Sequence, residues 1–435
     1  MRMLTILPAN IGSCLMIRRM RLRFIRALAT IVVLAGGTAV GREQSILSWT
    51  VTVESLESPA GRDSAQPQLS TSARGVLLSW IERDGPKATL RFAERTASGW
   101  SAARTVASGT DWFVNWADVP SVVRLADGTI AGHWLQKSGA DTYAYDVRLS
   151  YSLDDGKTWS PSFTPHSDGT TTEHGFASLF QMPGAGLGLA WLDGRAMKPA
   201  AGHAEHNAGG AMSVRFGAFD RSWKQTAEEP IDLRVCECCP TTAAITSDGP
   251  IVAFRNRTDD EIRDIYISRL ENGKWTEPRA AHADNWKINA CPVNGPMLSA
   301  RGRQVALAWF NAKDDQGHAF VAFSEDAGRT FGTPVRLDDT LALGRVDVEL
   351  MPDGSAVASW IEFADQRAQF RVRRITRSGD RSRAITVSSL AGGRASGYPR
   401  IGSTGDEIIF AWTESAGGAT QVRTSAARWT ADGKH

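Results

Sequence analysis

The sequence has few of the signals that build helices. After its N-terminal segment, none of the 435 residues belong to a long apolar run with helical 3.6-residue spacing, so a helical bundle is excluded. Tyrosine is also scarce, with five residues, whereas tryptophan (15) and glycine (41) are abundant. The chain is long for a single ordinary core. Together these features predict an all-β repeat protein.

Lysine and acidic residues are absent from residues 1–41, which contain six arginines. Residues 18–26 are basic, and residues 27–41 are apolar and end in small residues, a pattern typical of a cleaved signal peptide. We therefore expect a periplasmic or secreted protein with no membrane span after cleavage. Cleavage removes the six arginines and changes the formal charge from +2 to −4, which argues against nucleic acid as a partner.

A repeated β-rich phrase indicates the architecture. It ends in an aromatic residue at intervals of 51–63 residues, at seven positions: Trp80, Trp134, Trp191, Phe254, Trp309, Trp360 and Trp412. Each interval is long enough for four short strands, the size of a propeller blade. We predict one all-β, seven-bladed β-propeller over residues 42–435, closed by an N-terminal strand at 48–55. The predicted blades lie near residues 67–112, 120–165, 175–232, 240–282, 292–337, 346–387 and 399–430.

A Ser-x-Asp-x-Gly-x-Thr-aromatic motif occurs twice, at residues 152–159 and 324–331. At this spacing the aspartate accepts backbone N–H bonds and the glycine adopts positive φ, which makes a tight turn between strands. The motif resembles the Asp-box (BNR repeat) of the sialidase superfamily, whose members are β-propellers. In that family the box is a structural turn on the face away from the active site, so we expect no catalytic role for it.

The same resemblance implies an exo-acting glycoside hydrolase with a tyrosine nucleophile and carboxylate partners. Tyr398 stands late in the chain, as the family's tyrosine does. Glu362 and Glu414 follow blade aromatics and would activate Tyr398, with Asp63 or Asp118 as the acid. However, the family's Phe/Tyr-Arg-Ile-Pro and Asn-Glu-Ser phrases are absent.

Arginines before three adjacent blades predict a site for an acidic ligand. Arg62, Arg345 and Arg394 could together clamp a carboxylate or phosphate, as the three arginines of sialidases do. A charged set of loops adds Arg195, Arg255 and Arg257 as a binding rim. The alternative is that these side chains form structural ion pairs with neighbouring acidic residues.

The four cysteines that follow the signal peptide lie in two neighbouring blade connectors. Cys236, Cys238 and Cys239 precede one blade, and Cys291 precedes the next. Thiolates in an exported protein suit copper or zinc, with His203 and His206 as further candidate ligands. The alternative is one or two disulfides that staple adjacent blades.

Two functions from different classes remain open at this point. One is a sialidase-like enzyme that acts on an acidic glycan or a small acidic ligand. The other is a non-catalytic periplasmic propeller that carries a copper or zinc site or binds a protein partner. Thiols favour the second function because the sialidase mechanism does not use them, whereas the arginine trio favours the first.

Overall fold

The structure is a computed structural model that describes residues 46–184, 186–197 and 210–428. Within these ranges the chain forms seven successive sheets and almost no helix, which confirms the predicted seven-bladed β-propeller. We number the sheets as blades one to seven in chain order. None of the helices in these ranges is long and apolar enough to cross a membrane.

The strands have the following bounds. Two N-terminal strands precede the first blade: β1 (Ile46–Leu47) and β2 (Val53–Leu56). Blades one to three contain β3 (Ser64–Ser72), β4 (Gly75–Asp84), β5 (Lys87–Thr96), β6 (Gly99–Trp100), β7 (Arg104–Gly109), β8 (Ser121–Arg124), β9 (Ile130–Lys137), β10 (Tyr145–Ser152), β11 (His174–Gln181), β12 (Leu187–Asp193), β13 (Ser213–Phe219) and β14 (Gln225–Asp232).

Blades four and five contain β15 (Thr242–Thr246), β16 (Gly249–Arg255), β17 (Ile265–Glu271), β18 (Lys274–Trp275), β19 (Arg279–Ala280), β20 (Met297–Arg301), β21 (Gln304–Asn311), β22 (His318–Ser324) and β23 (Val335–Arg336). Blades six and seven contain β24 (Leu341–Leu350), β25 (Ala356–Ala364), β26 (Arg367–Ile375), β27 (Arg381–Ser382), β28 (Ile385–Leu390), β29 (Arg400–Thr404), β30 (Glu407–Ala416) and β31 (Ala419–Arg428). Two short 3-10 helices span Lys313–Asp315 and Arg394–Ser396.

The first strand of each blade lies at the centre of the ring. Residues of β3, β8, β11, β15, β20, β24 and β29 line a central cavity of about 530 Å³. Side-chain hydroxyls connect neighbouring inner strands: Ser70 Oγ donates to the Val122 carbonyl at 2.7 Å, and Ser178 Oγ donates to the Thr241 carbonyl at 2.9 Å. Among the described residues, inner strands of neighbouring blades do not pair as a ladder, so these bonds satisfy main-chain carbonyls that would otherwise lack a partner.

Blade seven takes its outer strand from the N-terminal part of the chain. Its order is β2-β31-β30-β29, and β2 is antiparallel to β31 with Val53 opposite Ala427. Just before β2, the buried side chain of Trp49 joins the apolar cluster between blades six and seven. The last sheet is therefore built from residues at both ends of the described chain.

The repeated tryptophans are core residues with a recurring partner. Three of them donate their indole N–H to an acidic residue two positions later: Trp80 to Glu82 at 2.8 Å, Trp191 to Asp193 at 2.9 Å and Trp360 to Glu362 at 2.7 Å. Each of these indoles is buried. The acidic residue after the aromatic thus satisfies a buried donor, which explains its spacing.

The two Ser-x-Asp-x-Gly-x-Thr segments form turns with matching hydrogen bonds. Asp154 accepts the Thr158 N–H at 2.9 Å and Asp326 accepts the Thr330 N–H at 2.8 Å, while the glycine of each turn has a φ near +80°. Both turns follow the third strand of a blade, which runs in the same direction as the inner strand. They therefore lie on the face opposite to the one where the inner strands begin.

A proline lies inside β3. Pro67 follows Gln66, which has φ of 59°, and the pairing of β3 with β4 shifts between Ala65 and Gln68. This bulge removes the ladder bond that proline cannot make.

Candidate functional site

We call the side of the ring where the inner strands begin the mouth face. Segments from four blades meet there across the end of the channel. The Trp116 ring stacks on Tyr398 with centroids 5.9 Å apart, and the guanidinium carbon of Arg345 lies 4.8 Å from the Trp116 ring centroid. The Tyr398 hydroxyl donates to the Val293 carbonyl. These contacts join blades two, five, six and seven, although not all of these blades are neighbours in the ring.

Backbone strain is concentrated at this face. Gln66, Phe176, Val293 and Arg345 are non-glycine residues with φ between 48° and 59°, and each lies where the chain enters or approaches an inner strand. Such conformations cost about 1–3 kcal/mol each and persist only where the surroundings enforce them. Strain of this kind is typical of binding and catalytic sites, so the mouth face is the candidate functional site.

Three predicted metal ligands lie together at the mouth face. The Cys236 sulfur is 3.4 Å from the Cys239 sulfur and 3.9 Å from the Cys238 sulfur, and the three sulfurs all lie within 4.8 Å of one another. Cys291 contacts Cys238 from the next connector. The predicted cluster is therefore observed for Cys236, Cys238 and Cys239. His203 and His206 lie outside the described residues.

The thiols are held in a polar environment that favours one thiolate. Arg263 donates to the Cys236 sulfur at 3.2 Å, and the Asn294 N–H donates to the Cys239 sulfur at 3.4 Å. Burial raises the pKa of Cys236, but hydrogen bonds from the Cys238 and Cys239 thiols and the charge of Arg263 together hold that pKa well below its usual value. Burial also raises the pKa of Cys239.

A buried ion-pair network holds the cysteine connector through Glu237. The Glu237 carboxylate contacts Arg257 and lies 3.1 Å from Arg263, and both arginines also contact Glu261. Nearby, Arg255 donates to the main-chain carbonyls of three residues. Arg255 and Arg257, predicted as rim residues, are thus engaged in contacts within the protein.

The other predicted arginines differ in their partners. Arg195 pairs with Asp193 and Glu228, each at 2.7 Å. Arg345 is half-buried and has no acidic partner among the described residues; it donates instead to the Ser396 hydroxyl and to the carbonyls of Gly393 and Gly397. Arg62 and Arg394 are exposed and, in the same ranges, form no ion pair. An anion could therefore approach this side of the mouth face without displacing a carboxylate.

The structure gives the predicted catalytic residues separate environments. Tyr398 is 3% exposed, and burial raises its pKa. Glu362 accepts bonds from Trp360 and Thr340, and Glu414 pairs with the exposed Arg423 at 2.8 Å. Asp63 is exposed at the surface near the start of β3. The proposed nucleophile and its carboxylate partners do not share one hydrogen-bonded group, and their catalytic roles remain predictions.

Asp118 belongs instead to a group that the sequence did not reveal. The Tyr145 hydroxyl lies 3.0 Å from Asp118 Oδ2 and 2.7 Å from Glu173 Oε1. The second Asp118 oxygen accepts the Phe176 N–H at 2.7 Å. The three residues are 27 and 28 positions apart along the chain, and no local motif connects them.

Comparison with known proteins identifies the fold. No protein-family model matches the sequence. No curated protein matches it either. Among solved structures, the polysaccharide lyase Uly1 is 11% identical with a TM-score of 0.50, over 83% of this chain and 89% of that chain. A protein of unknown function from Dyadobacter fermentans is 12% identical with a TM-score of 0.49, over 87% and 98%.

The solved structures also include the NanB sialidase of Streptococcus pneumoniae, which is 9% identical with a TM-score of 0.46, over 87% of this chain and 94% of that chain. The likeness to the polysaccharide lyase Uly1, at a TM-score of 0.50, is a similarity of fold. At such low identity the likeness concerns the fold alone.

Proposed function

We propose that the thiol cluster is a copper or zinc centre and that the chain is an exported propeller that acts through this centre at its mouth face. The separation of the sulfurs carries the proposal: 3.4 Å between Cys236 and Cys239, and 3.9 Å between Cys236 and Cys238. Sulfurs around a zinc ion with bonds of ≈ 2.3 Å lie about 3.7 Å apart, whereas disulfide sulfurs lie about 2.0 Å apart.

The chemistry of the donors also suits a soft metal ion. Thiolates select zinc and monovalent copper over hard cations, and Cys291 offers a fourth sulfur beside Cys238. The Arg263 guanidinium stabilises the thiolate form of Cys236 at 3.2 Å, which prepares a ligand for the metal. Two disulfides are the competing outcome in an oxidising compartment.

Metal content and free thiols of the mature protein, recovered from a bacterial periplasm, test this proposal. We expect about one copper or zinc ion per chain, and its loss in Cys239→Ser, because removing one thiolate opens the coordination shell. His282→Asn, which changes an exposed histidine, should keep the metal. Protein with no metal and no free thiols would contradict the proposal and establish disulfides.

A second candidate function is the binding and cleavage of an acidic glycan, as in a sialidase-like enzyme. The observation that favours it is Arg345, a half-buried cation over the Trp116 ring with carbonyl and hydroxyl contacts only. A planar guanidinium beside an aromatic face suits a sugar carboxylate, which it can bind through two parallel hydrogen bonds. Arg394 lies in the neighbouring segment that Arg345 contacts.

Calorimetric titration with sialic acid and with glucuronic acid tests this candidate. Arg345→Met should weaken binding of the acid that the wild type binds by about 10-fold to 100-fold, the value of a lost charged hydrogen bond of roughly 1.5–3 kcal/mol. Arg383→Met, at an exposed position on blade six, should bind like the wild type. Equal affinity in Arg345→Met and wild type would exclude Arg345 as the anion site.

A further inference from the structure

Tyr145, Asp118 and Glu173 form a hydrogen-bonded group. This group holds one proton more than a tyrosine and two ionised carboxylates would. A tyrosine hydroxyl has one hydrogen and can donate it to one acceptor only. Tyr145 nevertheless lies within hydrogen-bond distance of two carboxyl groups, at 3.0 Å and 2.7 Å. When both bonds are made, one carboxyl is therefore protonated and donates to the tyrosine oxygen.

The surroundings keep this additional proton bound at neutral pH. Burial raises the pKa of Asp118 to about 7, against hydrogen bonds from the Phe176 N–H and Tyr145 that lower it. Burial likewise raises the pKa of Glu173 to about 8; the charges of Asp118 and Glu237 add to this, and Tyr145 and the charge of His174 oppose it. The neutral acid is therefore the main form of Glu173 at pH 7.

The fold makes specific room for the group. A Cβ atom on Gly175 would lie 2.1 Å from Asp118 Oδ2 and 2.7 Å from Tyr145 Cε2, so the close approach of these side chains requires glycine at this position. Phe113 stacks on the Tyr145 ring with centroids 4.0 Å apart. The ring is thus packed against both Gly175 and Phe113.

The three residues differ in access to solvent. Tyr145 is fully buried and Asp118 is 1% exposed, whereas Glu173 is half-buried at the mouth face. A group that exchanges a proton with a ligand must reach it. Of the three, Glu173 is the residue that can do so.

We propose that Glu173 is the general acid of a glycosidase site at the mouth face, and that Asp118, acting through the Tyr145 hydroxyl, positions it. This inference rests on the second candidate function, in which the substrate is an O-glycoside of an acidic sugar. The Arg345 side of the mouth face holds the sugar carboxylate, and the Glu173 side receives the glycosidic oxygen.

The proton and electron balance is that of hydrolysis. The Glu173 O–H bond breaks as its proton moves to the glycosidic oxygen, and the bond between this oxygen and the anomeric carbon breaks with its electron pair leaving on the alcohol. Water adds to the anomeric carbon and returns a proton to the Glu173 carboxylate. The products are the free acidic sugar and the alcohol.

Leaving-group dependence tests the assignment. The probes are nitrophenyl and methyl glycosides of sialic acid and of glucuronic acid, assayed with the wild type, Glu173→Gln, Tyr145→Phe and Asp118→Asn. Glu173→Gln should lose about 10²–10⁴-fold in kcat/KM on the methyl glycoside, and far less on the nitrophenyl glycoside, because nitrophenolate leaves without a proton. Retained nitrophenyl activity also shows that the variant is folded.

The pH profile separates the acid from its positioning partners. Wild-type kcat/KM on the methyl glycoside should fall as pH rises through about 8, since the protonated form of Glu173 is then lost. Tyr145→Phe and Asp118→Asn should shift this alkaline limb without abolishing activity. Equal losses on both leaving groups, or no hydrolysis by the wild type, would overturn the assignment. If an acidic sugar still binds in calorimetry while no glycoside is cleaved, only the assignment of Glu173 as the general acid is refuted. If no acidic sugar binds, the glycan function is refuted as well.

Discussion

Arg255→Ala is expected to lower the free energy of unfolding by about 3–5 kcal/mol, one of the largest effects for a single change in this chain. Arg255 is 1% exposed, and its guanidinium donates to the carbonyls of Asn294, Arg263 and Phe310 at 2.5–2.9 Å. It also lies 5.0 Å from the Trp286 ring centroid. Truncation would leave a cavity and remove the donor that these buried carbonyls share. Urea denaturation followed by tryptophan fluorescence measures the change.

The matched control for Arg255→Ala is Arg279→Ala. Arg279 lies on the same blade but is exposed, and such a surface change should alter stability by less than about 0.5 kcal/mol. Similar losses in the two variants would show that the contacts of Arg255 with three carbonyls do not stabilise the fold.

Glu237→Gln is expected to cost about 3–5 kcal/mol as well, because it removes one partner of a buried charge network. Glu237 is 3% exposed between Arg257 and Arg263, which are 7% and 2% exposed. Without its carboxylate, Arg257 and Arg263 would each lose an anionic partner at a buried position. Differential scanning calorimetry of metal-free protein under reducing conditions isolates this effect from any change in metal binding.

An exposed ion pair provides the comparison for Glu237. Glu325 pairs with Arg377 at 2.7 Å, but its side chain is 72% exposed. Glu325→Gln should therefore change stability by about 0–1 kcal/mol. A loss in Glu237→Gln no larger than this would mean that Glu261 and solvent compensate both arginines.

Much of the fold could be predicted because its signals are local. Each blade repeats an aromatic residue in its second strand, and the indole of Trp360 finds its acceptor only two residues later, at Glu362. The turn motif is equally local, since Asp154 bonds Thr158 four residues away. Such short-range patterns are readable from sequence. The positions of the bulges in β3 and β24 are not, because they depend on contacts with neighbouring blades.

The candidate site was predictable only in part, for the same physical reason. Cys236, Cys238 and Cys239 are adjacent in sequence, so their proximity follows from their spacing. The assembly of Tyr145, Asp118 and Glu173 depends on the space that Gly175 leaves beside them. The sequence singled out Tyr398 by its late position in the chain, but it could not reveal that the ring is buried against Trp116.

The crossing contacts at the mouth face bear on how this propeller can evolve. A blade ordinarily contacts only its two neighbours, so rings of this kind can gain or lose a blade by duplication or deletion. Here Trp116 of blade two reaches Tyr398 of blade seven, and Arg345 of blade six lies on the same indole. A ring with six or eight blades would have a different radius and would separate these side chains. The number of blades is therefore constrained by these side-chain contacts across the channel as well as by the sheets.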